Sequence, residues 1–255
     1  MSKKSSSKTN FLAQGSILVI ASFVAKAIGM IYRIPLTHIL GDDGNGYYST
    51  ANEIYTIILM ISSFSLPLAV SRLVAEREYA GEVKNSYRVL ICSLRFAAVT
   101  GGILSILTFL LGGVITKYVM GVELASYALR VLAPAIFLFA LTGVLRGFFQ
   151  GHGTMVPTAV SQIIEQIINA IVSVAGAYVM LQYGLKLGEK KGDAELGTAL
   201  AAAGGTFGTV ASVGVALLFM IVIYLGYRNG FKRRMKKDKT RRRESDRAIY
   251  RAITY

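Results

Sequence analysis

Long apolar stretches alternate with short polar ones along the whole chain. Six stretches, at residues 11–34, 47–73, 89–118, 126–149, 155–183 and 197–227, carry few charges. About 20 mostly apolar helical residues cross the hydrocarbon core of a bilayer, and each stretch is long enough. Only helices or closed barrels satisfy every backbone amide inside lipid. Period-two alternation is absent and the runs exceed the length of barrel strands. The pattern therefore predicts an all-α, polytopic membrane bundle. Six transmembrane helices span residues 11–227, a basic segment covers 1–10, and a basic tail or linker covers 228–255.

Charge changes this picture by giving it a direction. Lys and Arg number 28 against 14 acids, a net charge of +14, yet charged residues make up only 16% of the chain. Twelve of the basic residues follow Tyr227. Such a block beside a span reads as a cytoplasmic topology signal touching anionic lipid rather than as a nucleic-acid surface. The N-terminus carries Lys3, Lys4 and Lys8, and the second connection carries Arg77, Lys84 and Arg88. The first connection, with Asp42 and Asp43, has no Lys or Arg, and neither has the third. The fifth, with three Lys and three acids, is mildly discordant. Rich and poor loops thus alternate, which places both termini in the cytoplasm. Ala25-Lys26-Ala27 loosely resembles a signal cleavage site, but the apolar sequence continues to Ile34, so the segment reads as a retained first helix. The single Cys92 leaves no disulfide within the chain.

Polar residues inside the stretches are the candidates for chemistry, because ionisable groups in lipid normally face a bundle interior or a watery cavity. Ser22, Lys26, Gly29 and Arg33 share one face of the first helix. Gln162, Glu165, Gln166, Asn169 and Ser173 form a stripe on the fifth. Ser49, Asn52, Glu53 and Thr56 do the same near the outer end of the second. Lys26, at roughly 22 Å from the inner surface, and Glu53, at roughly 9 Å from the outer one, lie at similar depth. They could form a structural ion pair, and the fifth-helix stripe could be interhelical hydrogen-bond glue. A cationic face at Lys26 and Arg33 would suit a phosphate or pyrophosphate cargo. Arg95 and Arg130 read as snorkelling residues near span ends. No nucleophile–base pair, phosphate-binding loop or CxxC occurs, and His152 has no partner at metal-ligand spacing. No catalytic residue, metal or cofactor is expected, and the chain is not expected to be an enzyme.

Three segments carry a family resemblance: Lys26-AIGMIY-Arg33-IPL with GDDGNGYY, SFSLPLAVSRLVAEREYAGE at 63–82, and GFFQGHGTMVPTAVSQIIEQ at 147–166. Together they resemble the polysaccharide-export lineage of the MOP flippase superfamily, in the branch of stage V sporulation protein B and the lipid II flippases. The resemblance implies two lobes of helices around a cationic cavity in a bacterial plasma membrane, moving undecaprenyl-linked sugars across it. It further implies that basic residues of the first two helices hold the pyrophosphate, at positions matched here by Lys26, Arg33 and Arg72. Drug exporters of the superfamily usually carry a carboxylate where this chain has Lys26. The expectation is one lobe of a lipid-linked oligosaccharide flippase, completed by a second lobe, covalent or separate. The candidate substrate-binding residues are Lys26, Arg33, Arg72, Glu53, Glu165, Gln162 and Asn169. A multidrug exporter and a non-transporting scaffold are the alternatives. A flippase should leave Lys26, Arg33 and Glu165 on a shared concave face, whereas a scaffold should bury them in pairs.

Overall fold

The computed structural model describes residues 2–62, 65–193, 195–238, 240 and 244–254, with side chains from residue 15 to residue 253. The side chains of Lys3, Lys4 and Lys8, and the tail residues Lys239, Arg241, Arg242 and Arg243, lie outside the described residues. The elements are α1 (Ser2–Ser62), α2 (Leu66–Tyr79), α3 (Val83–Val114, continued by a π-helical turn at Ile115–Val119), α4 (Ala125–Gly151), α5 (Val156–Lys191), α6 (Leu196–Lys237) and α7 (Asp246–Thr254). No strand occurs among the described residues. Five apolar segments have the length and composition to cross a membrane, and the first of them, Gly15–Tyr79, contains two arms.

Those arms are made by one residue. Gly41 takes φ 65° and ψ −173° inside α1, a conformation open to glycine and costly for a residue with a Cβ. The expected twelve-residue loop between the first two spans is therefore a break at Gly41 flanked by helix. Arg33 and Glu53 would lie about 30 Å apart on a straight helix. Here Tyr32 and Arg33 before the break, and Tyr48 and Glu53 after it, line the same cavity, so the arms fold back on each other. The expected second span at 47–73 is also interrupted, because α1 ends at Ser62 and α2 begins at Leu66 with Pro67 in its first turn. Proline tolerates that position, where the missing N–H would have no helical partner.

The other boundaries move outward. α5 runs to Lys191 and closes on left-handed Gly192, absorbing much of the expected fifth loop. α6 runs ten residues past 227 to Lys237, so the basic tail begins as helix. Arg and Lys are good helix formers, and at a helix C-terminus they meet the negative end of the dipole.

Packing of α5 on α6 is backbone on backbone. A Cβ at Gly176 would sit inside the carbonyl of Gly204, and one at Gly204 inside the carbonyl of Gly176. A Cβ at Gly184 would lie 2.9 Å from the Cα of Gly197, and one at Gly208 would overlap Ser173. Without a hydrophobic drive between helices in lipid, such small residues let dispersion act at the closest range. A second seat of this kind holds α2: Gly143, Gly147 and Gly151 of α4 face Pro67, Ser71 and Val74.

Two apolar clusters mark the two ends of the bundle. One joins Leu36, Leu40, Tyr48, Leu129, Leu132 and Ala201; the other joins Val70, Val74, Leu90, Phe148, Phe149 and Phe231. The connections at 41–46 and 192–195 meet at the first end, where Tyr47 donates to Glu195 at 3.1 Å. The second end gathers the α2–α3 and α4–α5 turns and the tail.

The tail does not trail away from that end. Ile249 and Ile253 of α7 are buried in the second cluster. Acidic residues anchor it to the α2–α3 turn. Asp238 accepts from Lys84 N at 2.8 Å, Glu244 accepts from Arg77 at 3.1 and 3.2 Å, and Asp246 accepts from Arg88. Lys232, Arg233, Lys236 and Lys237 remain exposed. Arg88 holds the Asp246 carboxyl below its usual 3.8. For Asp238, burial pushes upward, but hydrogen bonds from Thr240 and Lys84 outweigh it and leave the carboxyl below 3.8.

Two outcomes follow from this packing. Gly204→Leu should drive a side chain into the α5 backbone and cost about 1–3 kcal/mol or more, whereas Gly226→Ala, with open space around it, should be neutral; detergent melting curves distinguish them. Carboxylates with depressed pKa values stabilise docking above their ordinary value and lose that contribution as pH falls below it. A spin label at exposed Ala248 should therefore stay immobile at neutral pH and gain mobility below about pH 3.8.

Candidate functional site

The first arm of α1 and helix α5 run side by side in the same direction. Ser22 Oγ donates to Gln162 Oε1 at 3.3 Å, and Asn169 Nδ2 donates to Tyr32 OH at 2.9 Å. The sequence offsets of these rungs, 140 and 137, are almost equal, as parallel helices require. Between them Gly29 leaves room for Gln166, whose Oε1 lies 3.6 Å from where a Cβ would stand. Ser173 closes the ladder by donating to Asn169 Oδ1 at 2.9 Å. Gln162 and Asn169 thus both bond to the first arm, directly through Ser22 and Tyr32.

Lys26 and Arg33 lie on the same arm but outside the ladder. Both are exposed, and among the described residues neither forms an ion pair or a hydrogen bond. Arg33 opens on a cavity of about 670 Å³ whose walls include Tyr32, Tyr48, Ser49, Asn52 and Glu53. Glu53 is likewise exposed and without an ion-pair partner among the described residues. The structural pair between Lys26 and Glu53 does not form. Equal depth is not proximity, since the two side chains can point to different flanks of the hairpin. Asn52 and Thr56 are bonded to their own helix, at 2.9 Å to the carbonyl of Tyr48 and 2.7 Å to that of Asn52.

Glu165 is placed differently from Lys26 and Arg33. Its Oε2 accepts from Arg146 Nη2 at 2.7 Å, with side-chain exposures of 15% and 9%. Arg146 Nε also donates to Ser161 Oγ at 2.9 Å. This buried pair ties α4 to α5 across their short turn. Arg72 stands apart from all the others, on α2 at the tail end. It lines a separate cavity of about 520 Å³ with Glu76, Arg77 and Ile253, and pairs with Glu76 at 3.4 Å. So the structure brings Arg33 and Glu53 to one cavity and Gln162 and Asn169 to one ladder. It leaves Lys26 exposed on the first arm outside both, closes Glu165 into a pair, and puts Arg72 on another cavity.

Sequence reading did not find Arg146 as the partner of Glu165, though a cation and a carboxylate on two consecutive apolar helices were a usable signal. Nor did it find the cluster around His152. Its Nε2 lies 3.2 Å from Glu78 Oε1, without the alignment of a hydrogen bond, and Glu78 also pairs with Arg234. Phe148 and Phe231 pack against the imidazole, with ring centroids at 4.4 and 4.8 Å. Burial pushes the His152 pKa below its usual 6.5, against the upward pull of the Phe148 carbonyl and Glu78. Nothing in the spacing of His152, Glu78 and Arg234 along the chain foretells their meeting.

A family model for polysaccharide biosynthesis proteins matches residues 11–245. The chain belongs to that family. It is a multi-pass membrane protein. Stage V sporulation protein B of Bacillus subtilis is 28% identical over 217 residues, covering 85% of this chain and 39% of that protein. The lipid II flippase MurJ of Bacillus subtilis is 28% identical over 174 residues, 65% of this chain and 32% of that one. The chain thus spans well under half the length of these relatives. A multidrug resistance transporter of the MATE family, solved facing outward, superposes with a TM-score of 0.73 at 19% identity, covering 96% of this chain and 50% of its own. That likeness establishes a shared lobe architecture.

The pair between α4 and α5 carries the prediction here. Arg146→Ala leaves the Glu165 carboxylate buried without its cation and should cost about 3–5 kcal/mol. Replacing both, as Arg146→Met with Glu165→Leu, should recover most of that loss. Chemical melting of the purified protein measures both; equal losses would show that the two side chains do not depend on each other.

Proposed function

We propose that this chain forms one lobe of a flippase that moves an undecaprenyl-linked oligosaccharide, or a lipid II-type cell-wall precursor, across the bacterial plasma membrane. The observation that carries the reading is the contrast between charges. Arg146 and Glu165 neutralise each other, while Arg33 is left open on a polar cavity and Lys26 is exposed and unpaired on the same arm. An unpaired cation facing hydrocarbon is costly, so such a face is worth keeping only where water or an anion meets it. A pyrophosphate crossing the bilayer exchanges hydration for fixed donors. Lys26 offers a movable ammonium, and Arg33 offers a planar fork for two oxygens. Arg72, on the far cavity, is suited to meeting the head group on entry. Glu53, Ser49 and Asn52 offer acceptors and donors to sugar hydroxyls. Gln162 and Asn169 hold the first arm in place, and Glu165 fixes the α4–α5 turn behind it.

The same reading supplies an orientation. At the end with Asp42 and Asp43 the acids Glu189, Asp193 and Glu195 are offset by Lys186, Lys190 and Lys191, whereas the end with Arg72, Lys84, Arg88 and the basic stretch of α6 is strongly basic. The positive-inside rule assigns the basic end, with the tail, to the cytoplasm. A second lobe would close the open face, and the work done is transport without covalent chemistry. The names of the relatives support a lipid-linked cargo. The likeness to a drug exporter supports only the architecture, and open cations suit anionic better than cationic cargo.

The test is made in the full-length protein. Lys26→Ala and Arg33→Ala each remove a charged hydrogen-bonding group worth about 1.5–3 kcal/mol, so flipping of a fluorescent lipid-linked precursor in proteoliposomes should fall roughly tenfold or more. Melting temperatures should stay close to wild type, because neither residue has a partner to strand. Wild-type flipping by the double variant would overturn the proposal.

A further inference from the structure

A groove lined by neither α1 nor α5 has features that the transport reading does not use. It lies between α3 and α4, at the end where the turn 120–124 joins them. The seam is antiparallel: a Cβ on Gly101 would meet Ala140, and one on Gly113 would lie 3.1 Å from Arg130 Nη2. Gly112 and Gly113 together clear the path along which the Arg130 side chain lies. Lys117, Tyr118, Ser126, Tyr127 and Arg130 line a cavity of about 480 Å³ there.

Its charges are unequal. Lys117 is neutralised by Glu123 at 2.9 Å. Arg130 is exposed and, among the described residues, has no hydrogen-bond or ion-pair partner. The cavity therefore carries one uncompensated cation. Directly beside it α3 leaves its regular course in the π-helical turn at Ile115–Val119, a departure that often accompanies a functional site. Below it runs an exposed apolar stripe, Ile103, Ile106, Leu110 and Val114, each 53% exposed or more. From Val114 to Ile103 the stripe is about 16 Å long, close to the half-thickness of a hydrocarbon core of about 30 Å. Tyr118 and Tyr127, at the ends of the two helices, are of the residue type that gathers between lipid tails and water.

A cation flanked by hydroxyls, above an apolar track one leaflet long, has the shape of an anionic amphiphile. We propose that this groove binds a membrane phospholipid with a net-negative headgroup. Arg130 holds the phosphodiester, Ser126 and the two tyrosines bond the headgroup, and one acyl chain lies along Leu110, Ile106 and Ile103. The Lys117–Glu123 pair limits the site to one excess positive charge. The site is independent of the Lys26 and Arg33 face and does not rest on the transport reading.

Native mass spectrometry of the intact protein, with dioleoylphosphatidylglycerol or dioleoylphosphatidylcholine added to the detergent, tests this. Wild type should retain the glycerol lipid over the choline lipid. Arg130→Gln should cut that retention about fivefold, the effect of one basic residue near an anionic surface. Arg130→Lys should fall between them, and Glu123→Gln, which frees Lys117, should raise retention. The loss on Arg130→Gln should persist when Lys232, Arg233, Lys236 and Lys237 are all changed to Gln, which removes binding through the tail. If Arg130→Gln melts early in lipid-free detergent, the Arg130→Lys and Glu123→Gln variants decide. Unchanged retention in Arg130→Gln, or equal retention of both lipids by wild type, would overturn the proposal. So would Arg130-dependent displacement of the glycerol lipid by an equal amount of undecaprenyl phosphate, which would make the occupant cargo.

Discussion

The direct backbone contact between α5 and α6 is the constraint from which the rest of this lobe follows. Gly176 meets Gly204 and Gly184 meets Gly197 backbone to backbone, and Ser173 lies directly against Gly208. Contact at this range fixes the rotation of α5 about its own axis. With one face pressed on α6, the adjoining polar stripe can point only toward the first arm of α1, where Ser22 and Tyr32 receive it. The ladder in turn fixes the rotation of that arm, and so the direction in which Lys26 and Arg33 look. The glycine contacts on α5 and α6 thus govern the placement of cations on a helix that packs against α5 from another side.

Charge is handled in three ways, and each matches a location. Inside the bundle it is cancelled, as Arg146 and Glu165 cancel each other with Ser161 taking a further donor. At the basic end it is used for docking, where three acids of the tail region engage Lys84, Arg77 and Arg88. That docking overlays the simple picture of a basic tail seeking lipid: the acids turn inward to the α2–α3 turn, and the bases of α6 stay outside. Along the first arm charge is left open. Burial without a partner costs several kcal/mol per ion, so open charges report where water or a ligand is available.

Much of this was legible in the sequence. Helix number followed from apolar length, because lipid forbids other solutions. The polar stripe of Gln162, Asn169 and Ser173 along α5 followed from the helical period alone. What was not legible depended on meetings between distant parts of the chain. The break at Gly41 lay within a glycine-rich stretch read as a loop, since sequence does not say which glycine takes the left-handed conformation. The glycines at 143, 147 and 151 stand at four-residue spacing, but no local pattern names their partner, the start of α2 at Pro67. Lys26 and Glu53 share a depth and still do not pair, because depth gives one coordinate of three.

The open face also says something about what must surround it. Beside Lys26 and Arg33 the first arm exposes Phe23, Met30, Ile31 and Ile34, each 64% or more. An arm that is apolar on one flank and cationic on the next cannot face a single solvent at low cost. Hydrocarbon satisfies the apolar flank and penalises the cations; water does the reverse. The arrangement becomes favourable at a boundary, where the arm forms one edge of a water-filled cleft and turns its other flank to lipid or to protein. A cleft requires an opposite wall. The second lobe proposed above would supply that wall, and the first arm of α1 would stand at the rim where the cleft opens sideways to the membrane. A cargo with a charged head and a long apolar tail needs such a rim, since its two parts must stay in two different media throughout the crossing.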